Sequence, residues 1–329
     1  MAFGNLQVNM LFGIALTGPT ASGKTKISIE LAKRLGCEII SLDSMQIYKG
    51  MDIGTAKATE EEMENIPHHM LGIAEPSQDY STELYREAAL DIARDISARG
   101  KTPLFAGGTG LYLDTLLRAP QSDVPKSDEN MRNAEYSEED KHSLWLKLFG
   151  IDPESAEKIH ENNVRRVLRA IEIYESTGIT KTEHDRLSRI SPSDIKILHF
   201  TLDFHDRDLL YRRIDSRVDV MIGDGLAEEV RALYESGRLK EGTTASQAIG
   251  YKEIIEYLNG RVTLSSAIEQ IKLSSRRYAK RQLTWFRRGE ASRIYVDTDD
   301  GRIRDASEIV EEILSRIQNG GFNEEKNCG

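Results

Sequence analysis

LFGIALTGPTASGKTKISIELAKRL (residues 11–35) reads as strand, loop and helix in immediate succession. The apolar run LFGIALT (11–17) predicts a buried strand, and KISIELAKRL (26–35) repeats its apolar residues at helical spacing. Between them GPTASGKT (18–25) matches G-x-x-x-x-G-K-[ST], in the strand–helix context the pattern requires. Its glycines let backbone N–H groups turn inward around an anion, and the helix N-terminus presents the positive end of its dipole. Gly18, Pro19, Thr20, Ala21, Ser22, Gly23, Lys24 and Thr25 are therefore the expected cradle for a phosphate or diphosphate. Lys24 would reach the terminal phosphate, and the Thr25 hydroxyl would serve Mg2+.

The same alternation continues outward. CEIIS (37–41) and TPLFAG (102–107) are strand-like, and ELYREAALDIARDISARG (83–100) places Leu84, Ala88, Ile92 and Ile96 at helical spacing. Strand–helix alternation of this kind implies an α/β fold, a P-loop NTPase-like parallel sheet with flanking helices. IKILHFTLDF (195–204) and RIYVD (293–297) would complete the sheet, and helices are expected over 207–236 and 263–288, the second ending at Gly289 as a C′ residue. From APQSDVPKSDEN (119–130) onward the pattern changes to helices without strands, so residues 120–190 are read as a helical insertion domain. The core then comprises 1–119 and 191–318, and 319–329 is expected to be a disordered tail.

Composition narrows the class. Among 329 residues, 39% are hydrophobic and 30% charged, as in an ordinary soluble globular protein. No apolar run approaches the roughly 18 residues of a membrane span, and MAFGNLQVNMLFGIAL lacks the basic n-region and cleavage site of a signal peptide. Two cysteines, Cys37 and Cys328, make neither a disulfide framework nor a zinc site. A cytoplasmic protein is expected, with nothing demanding an oligomer, so a monomer. The net charge of −10 argues against a nucleic-acid partner until its distribution is considered. Residues 128–140 carry six acids against one Arg, whereas residues 272–293 carry eight basic residues against one Glu. On a helix, Arg276, Lys280 and Arg287 share one stripe and Arg277, Arg281 and Arg288 the next, an electrostatic footprint suited to phosphates. Tyr278 and Trp285 lie beside that arc, available for core packing or for stacking on a base.

A phosphate loop does not identify a nucleotide. An ATP-hydrolysing protein of this fold would show a strand ending in a Mg2+-binding Asp, yet the third strand here runs into LFAGGTGLY. The early strand-end acid is Asp43, which opens the loop LDSMQIYKGMDIGTAK (42–57). On spacing alone it is open to service as a Mg2+ ligand, a ribose binder, a general base or a turn former.

Taken together, GPTASGKT, DSMQIYKGMDIGTAK, PHHML (67–71), GGTGLY (107–112), RRVLRAIEIY (165–174), QAIGYKE (247–253) and KRQLTWFRR (280–288) resemble the bacterial tRNA dimethylallyltransferases, in the same order and from about residue 13 to 296. The resemblance implies transfer of a dimethylallyl group from dimethylallyl diphosphate to N6 of the adenosine immediately 3′ of a tRNA anticodon, with the anticodon stem-loop as partner. It places Asp43 as general base and Thr109 as a hydrogen-bond partner of the same amine. Arg217 is the choice for a further diphosphate ligand, with Arg212 and Arg213 as competitors. It implies RNA contacts from the loop of Asp43, Ser44, Met45 and Gln46, and Gln46 could pair with an adenine edge. It further implies RNA contacts from Arg165, Arg166 and Arg169 in one helix, and from Gln247, Gly250, Tyr251 and Lys252 in another segment. Lys280, Arg281, Gln282, Trp285 and Arg287 complete that set, and the target base would be extruded into the pocket. One departure stands out: IHENN (159–163) lacks the proline expected before the arginine helix.

Other functions compete. An adenylate dimethylallyltransferase would use similar chemistry on a free nucleotide, but needs neither a basic helix nor a large insertion. A P-loop small-molecule kinase would consume ATP. A non-catalytic RNA binder would not need Lys24, Thr25, Asp43 and Thr109 together.

Overall fold

The structure, a computed structural model, describes residues 10–118, 136–190, 194–289 and 291–320. The opening of the insertion and the expected tail beyond 320 lie outside the described residues. Among those described, the chain forms two compact units: one runs to Leu116 and resumes at Ile195, and the other is Leu117–Asp194.

In the first unit, β1 (Leu11–Thr17), β2 (Cys37–Leu42), β3 (His68–His69), β4 (Thr102–Gly107), β5 (Ile195–Asp203) and β6 (Ser292–Tyr295) form one parallel sheet in the order β3-β2-β4-β1-β5-β6. Alternation along each strand feeds two cores. Ala15, Ile40, Leu42 and Phe105 face one layer of helices, Thr82–Ala98 and Gly110–Leu117 among them. Ile14, Leu16, Ile39 and Leu104 face the other, with Lys24–Leu35 and Ala306–Gly320. With both faces covered, β1 and β2 are buried along nearly their whole length, which suits the predominantly apolar runs of buried parallel strands.

Two expected boundaries move. The helix expected over 207–236 is two helices, Arg207–Gly223 and Leu226–Glu235, because Gly225 adopts φ +99°, a left-handed conformation that ends the α-helical run. The helix expected to reach 288 is Leu264–Phe286, capped at Arg287; Gly289 lies beyond and takes no left-handed conformation. β3 was not expected, since two residues carry no periodic signal. It exists because His68 and His69 pair with Ile39 and Ile40. Among the described residues no helix is long and apolar enough to cross a membrane.

The second unit packs Glu138–Ile151, Pro153–Lys158 and Val164–Thr177 around Leu148, Ala156, Ile159, Val167 and Ile171. The buried Asp152 carboxylate accepts from Ser155 N–H, Thr182 N–H and the Thr182 hydroxyl, tying the start of the Pro153–Lys158 helix to the Lys181–Ile190 helix. Where the expected proline is missing, Asn163 caps the arginine helix without a side-chain hydrogen bond.

Candidate active site

Sheet register creates the site. Thr17 pairs with Gly107, and Gly107 pairs with Leu42. The chain therefore leaves β1, β4 and β2 side by side at one edge, at a strand spacing of about 4.8 Å. Gly18–Thr25, Gly108–Thr109 and Asp43 emerge together, at the carboxyl ends where ligands of such sheets bind. Of these, Thr20–Thr25, Gly108 and Asp43 border a pocket of about 400 Å³, and Gly18, Pro19 and Thr109 are not part of its lining. Lys24, Thr25, Asp43, Arg217, Tyr278 and Arg281 line its polar part, and Met45, Val218, Met221, Leu226, Ile249 and Ile271 its apolar part.

The phosphate loop is braced from two sides. Ala21 (φ +62°) and Gly23 (φ +85°) are left-handed, which curls the loop, and the Ala21 carbonyl accepts from Arg213 Nε at 2.9 Å. On the other side Thr20 N–H donates to Gln282 Oε1 at 2.9 Å, while Gln282 Nε2 donates to Gly108 O at 2.9 Å. Gln282 is buried and both ends of its amide are engaged, so it is a strut between two loops rather than an RNA contact. Its place among Ala279, Leu283 and Phe286 on the buried stripe of its helix was the sequence signal available. The strut also explains Gly108, because a Cβ there would land on the Gln282 amide nitrogen. Gly108→Ala is expected to destabilise the protein by roughly 1–3 kcal/mol, read as a lower urea midpoint at unchanged slope.

Lys24 Nζ donates to the Gly18 and Pro19 carbonyls at 3.1 and 2.6 Å. Burial and then the charge of Arg217 push its pKa down to about 7, against the opposing pull of Asp43. The Ser22 hydroxyl is buried in the same loop without a hydrogen-bond partner among the described residues. Of the three candidate arginines, Arg217 lines the pocket and has no hydrogen-bond partner among the described residues, Arg213 holds the loop, and Arg212 pairs at the surface with Asp206. Burial lowers the Arg217 pKa and Asp43 raises it.

Asp43 serves the turn and remains available to the pocket. Its Oδ1 accepts from Met45 N–H at 2.9 Å and Gln46 N–H at 3.3 Å, and Oδ2 has no hydrogen-bond partner among the described residues. Burial raises its pKa, opposed by those two N–H bonds and by the charges of Lys24 and Arg217. Tyr278 is pushed up to about 12 by burial and by Asp43, so its hydroxyl stays protonated near neutral pH. Thr109 accepts from Ser44 N–H at 3.1 Å, which braces the residue after Asp43. Gln46 departs from expectation. Its Oε1 accepts from the Ser41 hydroxyl and its Nε2 donates to the Thr55 and Ala56 carbonyls, leaving no amide edge for a base.

Gln247, Gly250 and Lys252 line the pocket, but Tyr251 is fully buried with its hydroxyl on Glu229, which removes it from any RNA-facing set. The basic arc divides. Arg276 pairs with the half-buried Asp215, and Arg287 pairs with the buried Asp203 at 3.0 Å, so carboxylates of the protein hold both. Arg277, Lys280, Arg281 and Arg288 are exposed and form no ion pair among the described residues. Arg281 lies over the Tyr278 ring at 5.5 Å. Trp285 is 39% exposed, with its indole against Gly110, so it packs and faces solvent at once. In the second unit Arg165 and Arg166 are exposed, and Arg169 pairs with Glu172 at 3.2 Å.

No group of three or more His, Cys, Asp or Glu among the described residues could hold a metal ion. The exposed Thr25 hydroxyl beside the anion cradle instead fits a cation that arrives with its phosphates, as Mg2+ commonly does.

The family model described as IPP transferase matches residues 46–289, and that described as Isopentenyl transferase matches 13–72. The chain is 48% identical over 316 residues to a tRNA dimethylallyltransferase of Anoxybacillus flavithermus, covering 95% of this chain and 98% of the relative. It is 51% identical over 279 residues to that of Geobacillus thermodenitrificans, covering 83% and 87%. A crystal structure of a tRNA delta(2)-isopentenylpyrophosphate transferase from Staphylococcus epidermidis matches with TM-score 0.68 at 39% identity, covering 94% of this chain and 99% of that one. A eukaryotic dimethylallyltransferase acting on tRNA matches with TM-score 0.71 at 28% identity, covering 94% and 85%.

Proposed function

The chain belongs to the IPP transferase family, and on that premise we propose that it transfers a dimethylallyl group from dimethylallyl diphosphate to N6 of the adenosine 3′-adjacent to the anticodon of tRNA. The observation that carries the reading is the meeting of a phosphate cradle, an available carboxylate oxygen on Asp43 and an apolar wall in one pocket. The diphosphate occupies Gly18–Thr25, with Lys24 and Arg217 on its oxygens. The prenyl chain lies along Val218, Met221 and Ile249. As the C1–O bond breaks, its electron pair leaves with the diphosphate, the N6 lone pair forms the new N–C bond, and the N6 proton passes to Asp43. Tyr278 stays protonated beside the carboxylate and donates rather than competing for that proton. A divalent cation, Mg2+, held by Thr25 and the phosphate oxygens would neutralise charge gathering on the leaving group.

A leaving group needs no activated water, which accounts for the missing strand-end acid on β4. The adenine enters extruded from the anticodon loop, between Met45 and the Tyr278–Arg281 side. Arg277, Lys280, Arg281 and Arg288 receive backbone phosphates, joined by Gln247 and Lys252 of the pocket lining. Arg165 and Arg166, in the insertion, are read separately as phosphate contacts. Changing Lys280 and Arg281 to Ala together is expected to weaken binding of the anticodon stem-loop and flatten its log–log salt slope by about 2, since each phosphate contact contributes about one unit. Filter binding from low to moderate salt reads this.

Prenylation of AMP and of an anticodon stem-loop, measured side by side, tests the substrate. Transfer to the stem-loop is expected. Preference for AMP, or ATP-dependent phosphorylation of a small molecule, would overturn the reading.

A further inference from the structure

Glu229 has no place in the chemistry above, yet its carboxylate accepts from three successive N–H groups of the Asp43 loop. It projects from the Leu226–Glu235 helix, and its Oε2 accepts from Asp52 N–H at 2.9 Å and Ile53 N–H at 2.7 Å. Its Oε1 accepts from Gly54 N–H at 3.2 Å and from the Tyr251 hydroxyl. Three successive backbone N–H groups pointing one way form a nest for an anion, and the protein fills this one with its own carboxylate. The fit is close: a Cβ on Gly54 would strike the Tyr251 ring and Leu226.

The turn so clamped holds the Asp43 loop in place. Ala56 N–H bonds back to Ile53 O at 3.0 Å and Lys57 N–H to Asp52 O at 3.0 Å, so residues 52–57 close on themselves. The Thr55 and Ala56 carbonyls then accept Gln46 Nε2 at 3.2 and 3.3 Å, while Ser41, at the end of β2, donates to Gln46 Oε1 at 3.1 Å. Gln46 N–H in turn donates to Asp43 Oδ1. Hydrogen bonds joined by short stretches of chain therefore lead from Glu229 through the turn to the Gln46 side chain, and from the Gln46 backbone N–H to Asp43. We propose that Glu229 is a positioning residue for the transfer step: by clamping the Asp52–Gly54 turn it holds Gln46, and through Gln46 it sets the orientation of the Asp43 carboxylate. The proposal rests on the prenyl-transfer reading and adds to it how the base is aimed.

Neither Glu229 nor Gln46 needs to touch a substrate, so both act on the rate of transfer and not on diphosphate binding. Glu229→Ala, Gln46→Leu and the double variant are to be compared with the wild-type chain. Single-turnover transfer to an anticodon stem-loop is measured with saturating dimethylallyl diphosphate and Mg2+. Titration with magnesium diphosphate counts the folded sites, and hydrogen exchange reads the Met45 and Gln46 amides.

Each single variant is expected to lose about 10- to 100-fold in transfer rate, the usual penalty for a misplaced reacting group. Diphosphate stoichiometry and affinity should stay at the wild-type level, within about two-fold, while both amides exchange faster than in wild type. Because the two residues act through one strut, the double variant should be no slower than the worse single variant. Wild-type rates in Glu229→Ala, or losses that multiply in the double variant, would overturn the proposal. If Glu229→Ala fails to bind diphosphate stoichiometrically, Glu229→Gln takes its place. It keeps the volume but sets an NH2 against N–H donors, and the same loss is expected. Absence of transfer in the wild-type chain would instead count against prenyl transfer itself, and exchange at Met45 and Gln46 would still decide whether Glu229 holds the strut.

Discussion

Asp43→Asn is expected to lower the single-turnover transfer rate by about 10²- to 10⁴-fold, the range contributed by a positioned general base. Asn keeps an Oδ1 that can accept from Met45 and Gln46 N–H, so the turn survives while the proton acceptor is lost. Affinity for the anticodon stem-loop should stay within about two-fold, because the carboxylate makes no phosphate contact. The pH profile provides a second check. Asp43 is active when ionised, and burial raises its pKa above the ordinary carboxylate value. The wild-type rate should therefore fall as pH drops through that raised value, with an acid limb above the one an exposed aspartate would give. In Asp43→Asn that limb should disappear. A large loss of RNA affinity with normal turnover of the bound complex would show that Asp43 binds rather than reacts.

Lys24→Ala should be nearly as damaging, about 10²- to 10³-fold in transfer, since it removes a preorganised charge from the departing oxygens. The lowered pKa of Lys24 adds a thermodynamic signature. With a value pushed to about 7, much of the ammonium is neutral at pH 8, and a bound diphosphate favours the charged form. Binding of dimethylallyl diphosphate near pH 8 should therefore take up protons. Titration calorimetry in two buffers of different ionisation enthalpy reads the uptake directly, and Lys24→Ala should abolish it. Equal enthalpies in both buffers for the wild-type chain would place Lys24 outside the diphosphate site.

The sheet and its phosphate loop were legible because they rest on local signals. LFGIALT is apolar on both faces, GPTASGKT has fixed spacing, and KISIELAKRL turns at once into a helix. Asp43 was legible as a strand-end acid, but its four open roles narrowed only with the resemblance and the chemistry of a leaving group. What stayed hidden depends on partners far apart in the chain. Gln282 looked like one more polar residue in a basic segment, yet its two partners, Thr20 and Gly108, lie 262 and 174 residues away. Gln46 looked free to read a base until Thr55 and Ala56 were found on its amide. The basic arc was visible from helical spacing, but not that Asp215 and Asp203 would hold two of its six cations. Tyr251 sits between pocket-lining Gly250 and Lys252, and nothing local announces that its ring points into the core.

Nucleoside mass analysis after incubating tRNA with the protein, dimethylallyl diphosphate and Mg2+ is the most direct test of the reaction. One adenosine per reactive tRNA should gain a C5H8 unit at N6, mapping to the position 3′ of the anticodon, with one diphosphate released per modification. Unmodified tRNA alongside prenylated free AMP, or a gain of phosphate that requires ATP, would contradict it.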